Sequence, residues 1–246
     1  MILTLSPIEW FGLIASAVLI GMGKTGVHGA AMITVPTLAL LFGAKASTGI
    51  ALGLLVVADV LAVLYYHRHA DWTVLWRLFP ATAVGVVLGT ALGQWVSDEW
   101  FRLCMVIFIL LSIMMMIIQE IKRSLWVPQH PIFAVSAGTL GGVATMIGNM
   151  AGPLMTVYLL SQSLPKQVYI GTAAWFFLVV NVFKLPFHAF VWETLSVDTM
   201  ALTAAAVPAI VAGAWMGIQI VKRIGDTRYR WFVIATTSAS AIVLLV

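Results

Sequence analysis

Charged residues are scarce in this sequence. Asp, Glu, Lys and Arg together make up 9% of its 246 residues, whereas 62% of the residues are hydrophobic. A soluble globular domain carries about a quarter of its residues as charges, so this composition excludes that class. The mean hydropathy is +1.05, and several apolar stretches reach roughly 20 residues, enough to cross a hydrocarbon core about 30 Å thick. We therefore expect an all-α polytopic membrane protein embedded in a lipid bilayer.

Cysteine and the sequence motifs of enzymes are also lacking. The single cysteine, Cys104, cannot form an internal disulfide, and we expect it to be a small buried hydrophobic residue. The sequence contains no P-loop, which excludes an ATPase domain on this chain, and no H-E-x-x-H motif. We expect no enzymatic activity, no cofactor and no metal. The net charge of +4 does not indicate a nucleic-acid partner, because basic residues of membrane proteins are concentrated in cytoplasmic loops.

Ten apolar segments are predicted, and two of them are too short to span a bilayer. The segments cover approximately 8–21, 29–43, 47–66, 74–95, 99–118, 131–146, 150–162, 167–187, 199–221 and 228–246. The second and the seventh contain about 13–15 residues, fewer than a spanning helix needs. They are either crossings in their own right or half-helices that enter the membrane and turn back. The sequence thus predicts eight to ten transmembrane segments.

Each short segment follows a glycine-rich interruption. The first covers 21–29 (GMGKTGVHG), and the second covers 141–153 (GGVATMIGNMAGP). In lipid, backbone that leaves the helix must find partners in protein, water or substrate. Paired broken helices are typical of secondary transporters, in which they surround the substrate near the middle of the membrane. We therefore expect a binding site where the two interruptions meet.

The two halves of the chain repeat each other. Five identical pairs lie 128 positions apart: Pro80/Pro208, Gly85/Gly213, Gly89/Gly217, Asp98/Asp226 and Arg102/Arg230. Three pairs earlier in the halves lie 122 positions apart: Thr34/Thr156, Gly49/Gly171 and Asp59/Asn181. The G-x-x-x-G pairs are typical of close helix packing. We predict a first repeat over 1–118, a linker over 119–130 and a second repeat over 131–246.

Loop charges indicate that the repeats have opposite orientations. Loops 67–77, 119–130 and 222–230 are basic, whereas the equivalent loops 96–102 and 188–198 are not. By the positive-inside rule, the basic loops are cytoplasmic and the others external. The prediction is an inverted repeat with both termini outside, the architecture of transporters that work by alternating access.

Asp59 is an acidic residue deep in the third segment, which makes it our candidate for binding a coupling ion. A carboxylate at the middle of the membrane costs several kcal/mol unless it is protonated, paired or solvated. Asp59 could bind a proton or a cation, or it could donate as a neutral acid to a packed neighbour. Its counterpart in the second repeat, Asn181, has the same size and no charge. Asn181 is expected to contribute hydrogen bonds only.

Three basic residues in or near these regions are candidates for contacting an anion. Lys24 lies inside the first interruption, where it would either bind an anion or extend towards the cytoplasmic interface. His28 is favoured as an interfacial residue over a titrating one. Lys184 lies three residues after Asn181, and it would either attract anions to an external vestibule or extend to the interface.

Hydroxyl and amide side chains in and after the interruptions could bind an oxyanion. Threonine also bonds readily to its own helix backbone, so a single threonine is weak evidence. The full set of predicted substrate-binding residues is Lys24, Thr25, His28, Thr34, Thr145, Asn149, Thr156, Asn181 and Lys184.

Three features of the sequence are similar to a known family. They are the glycine-rich first interruption followed by Pro36, the stretch from Gly148 to Leu154 (GNMAGPL), and the repeated Pro80/Gly85/Gly89 block. Over about residues 10–245, the chain resembles the sulfite exporter TauE/SafE family of membrane permeases. The resemblance implies two homologous halves and export of small sulfur-containing anions, such as sulfite or sulfoacetate, across the bacterial inner membrane. Lys24, His28, Asn149 and Met150 depart from the family's pattern, which is expected to affect substrate choice.

These observations favour a secondary transporter of a small sulfur oxyanion. They do not decide between a monomer and a homodimer. Coupling to protons is one option, but the membrane potential alone drives anions outward, by about 2.3 kcal/mol per charge per 100 mV. The alternative is a membrane-embedded accessory, sensor or assembly protein without transport activity, although such a protein would need no paired interruptions. An intramembrane enzyme is disfavoured because Asp59 is the only deep acid.

Overall fold

The computed structural model describes residues 5–97, 99–104, 106–107, 110–111, 114, 131–225, 228–229, 231–233 and 235–236. Helix accounts for 87% of these residues, and no strand occurs among them. The predicted linker 119–130 lies outside the described residues, and so do Asp98, Asp226 and Arg230. The C-terminal parts of the predicted segments 99–118 and 228–246 are also outside them. The predicted all-α membrane class is confirmed.

Eight helices have defined bounds within the described residues. They are α1 (Pro7–Lys24), α2 (Thr34–Phe42), α3 (Ala44–Tyr66), α4 (Trp72–Trp95), α5 (Pro131–Gly148), α6 (Ala151–Ser161), α7 (Lys166–Phe190) and α8 (Val197–Lys222). Short 3₁₀ turns precede α2 at Ala30–Ile33 and follow α3 at His67–His69.

Local sequence determines where several of these helices begin. Pro7 occupies the first turn of α1, and Ser6 and Glu9 form a reciprocal capping box before it. Asp71 accepts from the first backbone N–H groups of α4, and Ser196 caps α8 in the same way. These caps satisfy N–H groups that have no partner within their own helix.

Five helical stretches are long and apolar enough to cross a membrane. They are Pro7–Lys24, Ala44–His69, Trp72–Trp95, Lys166–Phe190 and Val197–Lys222. The apolar helices Ala30–Phe42 and Ala151–Ser161 are shorter. Ala151–Ser161 has 11 residues, so at 1.5 Å per residue it covers about half of the hydrocarbon core. The prediction of two short segments directly after the interruptions is therefore confirmed.

The extent predicted for the second interruption, 141–153, is wrong. Helix α5 continues through Gly141 and Gly142 to Gly148, and only Asn149 and Met150 separate it from α6. A Cβ atom added at Gly142 would meet the backbone of Thr82 on α4. This glycine therefore allows α4 and α5 to pack closely, and it does not break the helix. The break itself is at Asn149, whose φ of 55° is in the left-handed region.

The glycine pairs predicted to be packing faces do lie in close helix contacts. Helix α4 packs along α5, and α8 packs along α1. A Cβ atom at Gly85 would meet the carbonyl oxygen of Thr139, and one at Gly213 would meet that of Val18. The second glycine of each pair faces the same partner helix, Gly89 against Val143 and Gly217 against Met22. Each half of the chain thus contributes its glycine-bearing helix to a helix of the other half.

The buried apolar side chains form two large clusters. One joins α4, α5, α6 and α7, and its members include Leu75, Met146, Leu159 and Phe176. The other joins α1, α2, α3 and α8, and its members include Leu13, Leu38, Leu54 and Leu202. Residues of both breaks are buried as well, among them Thr25 and Val27 of the first and Met150 of the second.

Candidate functional site

A cavity of about 90 Å³ lies where the two helix breaks approach each other. This volume is several times the roughly 10–15 Å³ that one water needs, so a small anion would fit. Lys24, His28 and Gly29 of the first break line it together with Asn149 and Met150 of the second. The remaining lining residues are mostly apolar: Ile20, Gly23, Ala31, Met32, Thr34, Val35, Ala51, Leu55, Gly152, Pro153, Thr156, Ala173, Ala174 and Phe177.

Lys24, the last residue of α1, provides the cation in the cavity wall. Its Nζ lies 2.9 Å from Oδ1 of Asp59 on α3, and the side chains are 10% and 0% exposed. The same Nζ lies 3.8 Å from the centre of the Phe177 ring on α7, a cation–π contact. The alternative in which Lys24 extends to the interface is therefore wrong, because its ammonium is paired in the interior.

Asp59 is held from both sides. Its Oδ1 contacts Lys24, and its Oδ2 accepts from Nδ2 of Asn181 at 2.6 Å. One oxygen thus forms an ion pair and the other accepts from an amide N–H group, an arrangement that suits an ionised carboxylate. The ion pair favours this form over the alternative of a neutral acid that donates to a neighbour.

Lys184 is fully buried, so both of the positions expected from the sequence, an external vestibule and an interface, are wrong. Its Nζ donates to Oγ1 of Thr145 at 3.2 Å, to Oδ1 of Asn149 at 2.5 Å and to Oδ1 of Asn181 at 3.3 Å. All three acceptors are neutral oxygens. A buried ammonium with three hydrogen bonds is satisfied geometrically, but its charge is not neutralised by these partners.

These contacts form a continuous polar chain from the first break to the second. It runs from Lys24 through Asp59, Asn181 and Lys184 to Asn149. Lys184 donates to the side-chain oxygens of both Asn181 and Asn149, so the NH₂ groups of these two amides point the other way. The NH₂ group of Asn181 faces Asp59, and that of Asn149 faces the Thr48 carbonyl oxygen, 3.2 Å away. With both lysines protonated, the chain carries two positive charges and one negative charge.

His28 packs inside the first break rather than at an interface, contrary to the interpretation favoured from the sequence. Its Nδ1 lies 3.1 Å from the carbonyl oxygen of Gly26 and 3.1 Å from the hydroxyl of Tyr229. Its ring meets that of Tyr169 edge-on, with centroids 5.0 Å apart. These contacts fix the imidazole in the cavity wall next to Lys24.

The predicted threonines divide into three groups. Thr34 and Thr156 line the cavity, and Thr34 also donates to the Ala31 carbonyl oxygen. Thr145 lies behind the wall, where it accepts from Lys184. Thr25 is not among the lining residues, and its hydroxyl lies 3.0 Å from the carbonyl oxygens of both Gly21 and Ala214. Thr25 therefore links α1 to α8.

Ten site residues were predicted, and the structure brings nine of them to the cavity or to the polar chain. Those in the cavity wall are Lys24, His28, Thr34, Asn149 and Thr156. Those in the chain behind the wall are Asp59, Asn181 and Lys184, and Thr145 contacts this chain through Lys184. Thr25 is the exception.

Phe177 is the residue that the sequence analysis missed. It contacts Lys24 and lines the cavity, but a phenylalanine in an apolar helix carries no obvious signal. A usable signal is its spacing, because Phe177 lies four residues before Asn181 and seven before Lys184, and so shares their helix face. Among the described residues, no group of three His, Cys, Asp or Glu side chains could hold a metal ion.

These observations define a multi-pass α-helical membrane protein with a buried polar chain between two helix breaks. Comparison with protein families then identifies the group to which it belongs. The family described as sulfite exporter TauE/SafE matches residues 13–244, nearly the whole chain. The chain belongs to this family, which confirms the resemblance noted in the sequence and makes it a member of a transporter family. No curated protein and no solved structure matches the chain.

Proposed function

We propose that this protein is a secondary transporter that exports a small sulfur-containing anion across the bacterial inner membrane. The substrate would be sulfite or an organosulfonate such as sulfoacetate, bound between the two helix breaks. The observation that carries the proposal is the cavity that both breaks line, with the Lys24 ammonium in its wall. Membership of the sulfite exporter family supports the same substrate class.

The charge balance around the cavity favours an anion. Lys24 and Lys184 are buried together with one carboxylate, Asp59. This buried excess of positive charge attracts an anion into the cavity. The wall is mostly apolar and carries a few polar groups, which is typical of binding sites for small molecules.

Alternating access would follow from an inverted repeat, which we propose with repeats over 1–118 and 131–246 and a linker over 119–130. The exchanged helix packing supports it, because Gly85 meets Thr139 across the halves as Gly213 meets Val18. In such an architecture, exchanging the conformations of the two repeats converts an inward-open site into an outward-open one. Loop charges support an orientation with both termini outside.

The deciding experiment is anion flux in proteoliposomes that contain the purified full-length protein. Sulfite, sulfoacetate, taurine and sulfate are compared, and we expect saturable flux of at least one of the first two. Lys24→Gln should abolish that flux, whereas Lys222→Gln, at an exposed residue in the last turn of α8, should not change it. Absence of flux for all four compounds would favour the alternative, an accessory, sensor or assembly protein.

A further inference from the structure

We propose that Asp59 is a tethered counter-ion: it occupies the place of the anion on Lys24, and the substrate must displace it. This inference rests on the proposed function, since it describes how a transported anion reaches its cation. It starts from the 2.9 Å contact between Lys24 Nζ and Asp59 Oδ1. Lys24 is a lining residue of the cavity and Asp59 is not. The carboxylate therefore reaches the ammonium from behind the cavity wall.

The ammonium of Lys24 has little surface left for a third group. Asp59 covers one side, the Phe177 ring lies 3.8 Å away, and the lysine side chain is only 10% exposed. An anion that enters the cavity thus meets a cation that already has a carboxylate partner. Close approach to Nζ requires that the Lys24–Asp59 contact lengthen or break.

The partners of Asp59 hold this carboxylate as they would hold a bound oxyanion. One oxygen forms an ion pair with an ammonium, and the other accepts from the amide of Asn181 at 2.6 Å. Lys184 keeps that amide in the donating orientation, because its Nζ takes the amide oxygen at 3.3 Å. An anion-binding arrangement is therefore already complete, and the protein's own side chain fills it.

Displacement has a consequence for protons. A fully buried carboxylate that loses its ammonium partner is strongly disfavoured, so Asp59 takes up a proton on Oδ1 when the anion replaces it. One monoanion and one proton enter together, so the polar chain and the bound anion together carry the same net charge as the polar chain alone did before. Transport of a monoanion would then be electroneutral, so the anion and proton gradients together, and not the membrane potential, would set its direction.

The groups that could modify this exchange are few. Among the described residues, the charged groups that interact with Asp59 are Lys24 on α1 and Lys184 on α7. Helices α2, α5 and α8 also pack against α3, but their described residues contribute no charged group to this interaction. His28 is the other titratable side chain in the described cavity wall. A test of the pH dependence must therefore separate His28 from Asp59.

Binding of methanesulfonate to the purified full-length protein tests the proposal, because this anion keeps its charge over the whole working pH range. In the wild type, affinity should rise as the pH falls, by up to about tenfold per pH unit where one proton is taken up. Asp59→Asn should bind about tenfold or more tightly at neutral pH and lose the pH dependence. His28→Gln should keep it, and Glu193→Gln, which removes an exposed carboxylate, should resemble the wild type.

Two further variants keep the test decisive if Asp59→Asn folds poorly with an unpaired Lys24. The double variant Lys24→Gln/Asp59→Asn removes both charges and should show neither the gain in affinity nor the pH dependence. Asp59→Glu keeps a carboxylate and should keep the pH dependence. The proposal is overturned if Asp59→Asn binds no tighter than the wild type or remains pH dependent, or if Asp59→Glu loses the pH dependence.

The outcomes also separate this inference from the proposed function. Tighter methanesulfonate binding by Asp59→Asn, in a protein that moves none of the four test compounds, would reject sulfur-anion export and support the tethered counter-ion. Sulfite or sulfoacetate flux in the wild type, without any gain of affinity in Asp59→Asn, would support export and overturn the counter-ion.

Discussion

Asn181 donates its side-chain N–H to the carboxylate of Asp59 at 2.6 Å, although the two residues are 122 positions apart in the chain. They are the same two residues that the sequence repeat places at equivalent positions. In a two-fold arrangement, equivalent residues touch each other only close to the axis. The contact therefore supports an axis through the centre of the polar chain, with one break on each side.

Lys184→Met should strongly reduce transport without destabilising the fold. The buried ammonium contacts only neutral oxygens, so methionine, which has a similar length, avoids the cost of burying a charge. Transport should fall because the site loses positive charge and the amide of Asn181 is no longer oriented. We expect the melting temperature in detergent to be unchanged or higher, while sulfite flux falls at least about tenfold.

Lys222→Met is the matched control for this variant, because Lys222 is exposed at the end of α8. It should leave both flux and melting temperature unchanged. Undiminished flux in Lys184→Met would show that the buried ammonium has no part in transport.

Gly85→Ala and Gly213→Ala should destabilise the protein by similar amounts. The added methyl group would meet the carbonyl oxygen of Thr139 in the first case and of Val18 in the second. Forcing such backbone contacts apart typically costs about 1–3 kcal/mol. The free energy of unfolding in detergent measures the effect. Gly141→Ala is the control, because nothing lies within 4 Å of a Cβ atom at Gly141.

If the exchanged packing is as important as we propose, the two variants should also slow transport equally. A large loss for one glycine together with full tolerance at the other would contradict equivalent roles for α4 and α8.

The sequence predicts the general plan of this protein, because that plan depends on signals that single residues carry. Apolar length predicts the helices, and a lone carboxylate in an apolar segment marks Asp59. The short helices were also predictable, because Asn149 and the glycines after Lys24 interrupt the apolar pattern.

What could not be predicted depends on tertiary contacts. Gly142 lies in a glycine-rich stretch that suggests a helix break. Its role in close helix packing is visible only from its contact with α4. Lys184 resembles an interfacial lysine until α5 and the second break place Thr145 and Asn149 around its ammonium. The role of Phe177 likewise depends on where Lys24 lies in three dimensions.

Phe177→Leu should weaken substrate binding without a comparable loss of stability. Leucine keeps an apolar side chain in the cavity wall but lacks the ring that faces Lys24 Nζ at 3.8 Å. Cation–π contacts contribute about 0.5–2 kcal/mol, so the affinity for the transported anion should change by roughly 2–30-fold. We expect a weaker affinity because the ammonium becomes less well positioned.

Phe183→Leu serves as the control on the same helix, since Phe183 is 39% exposed and does not line the cavity. Concentration dependence of flux in proteoliposomes provides the measurement for both variants. Equal behaviour of the two would exclude a role for the Phe177 ring.

Asn149→Asp should abolish anion transport. The new carboxylate would lie against Lys184 Nζ, where the amide oxygen now accepts at 2.5 Å, and a charged hydrogen bond is stronger than a neutral one. The added negative charge cancels the positive excess of the polar chain, so the cavity should no longer attract an anion. We expect loss of sulfite flux, measured in proteoliposomes, and little change in melting temperature, because the stronger bond to Lys184 is offset by the loss of the donor to the Thr48 carbonyl oxygen.

Asn149→Gly separates the effect of this charge from the effect of changing the backbone conformation at the break. Glycine adopts the positive φ of 55° at this position without strain, and it removes the amide without adding charge. It should keep partial flux, with stability lowered by about 1–3 kcal/mol because Lys184 loses an acceptor. If Asn149→Asp instead transports as fast as the wild type, the excess positive charge cannot be what selects the anion, and the mostly apolar cavity wall must do so.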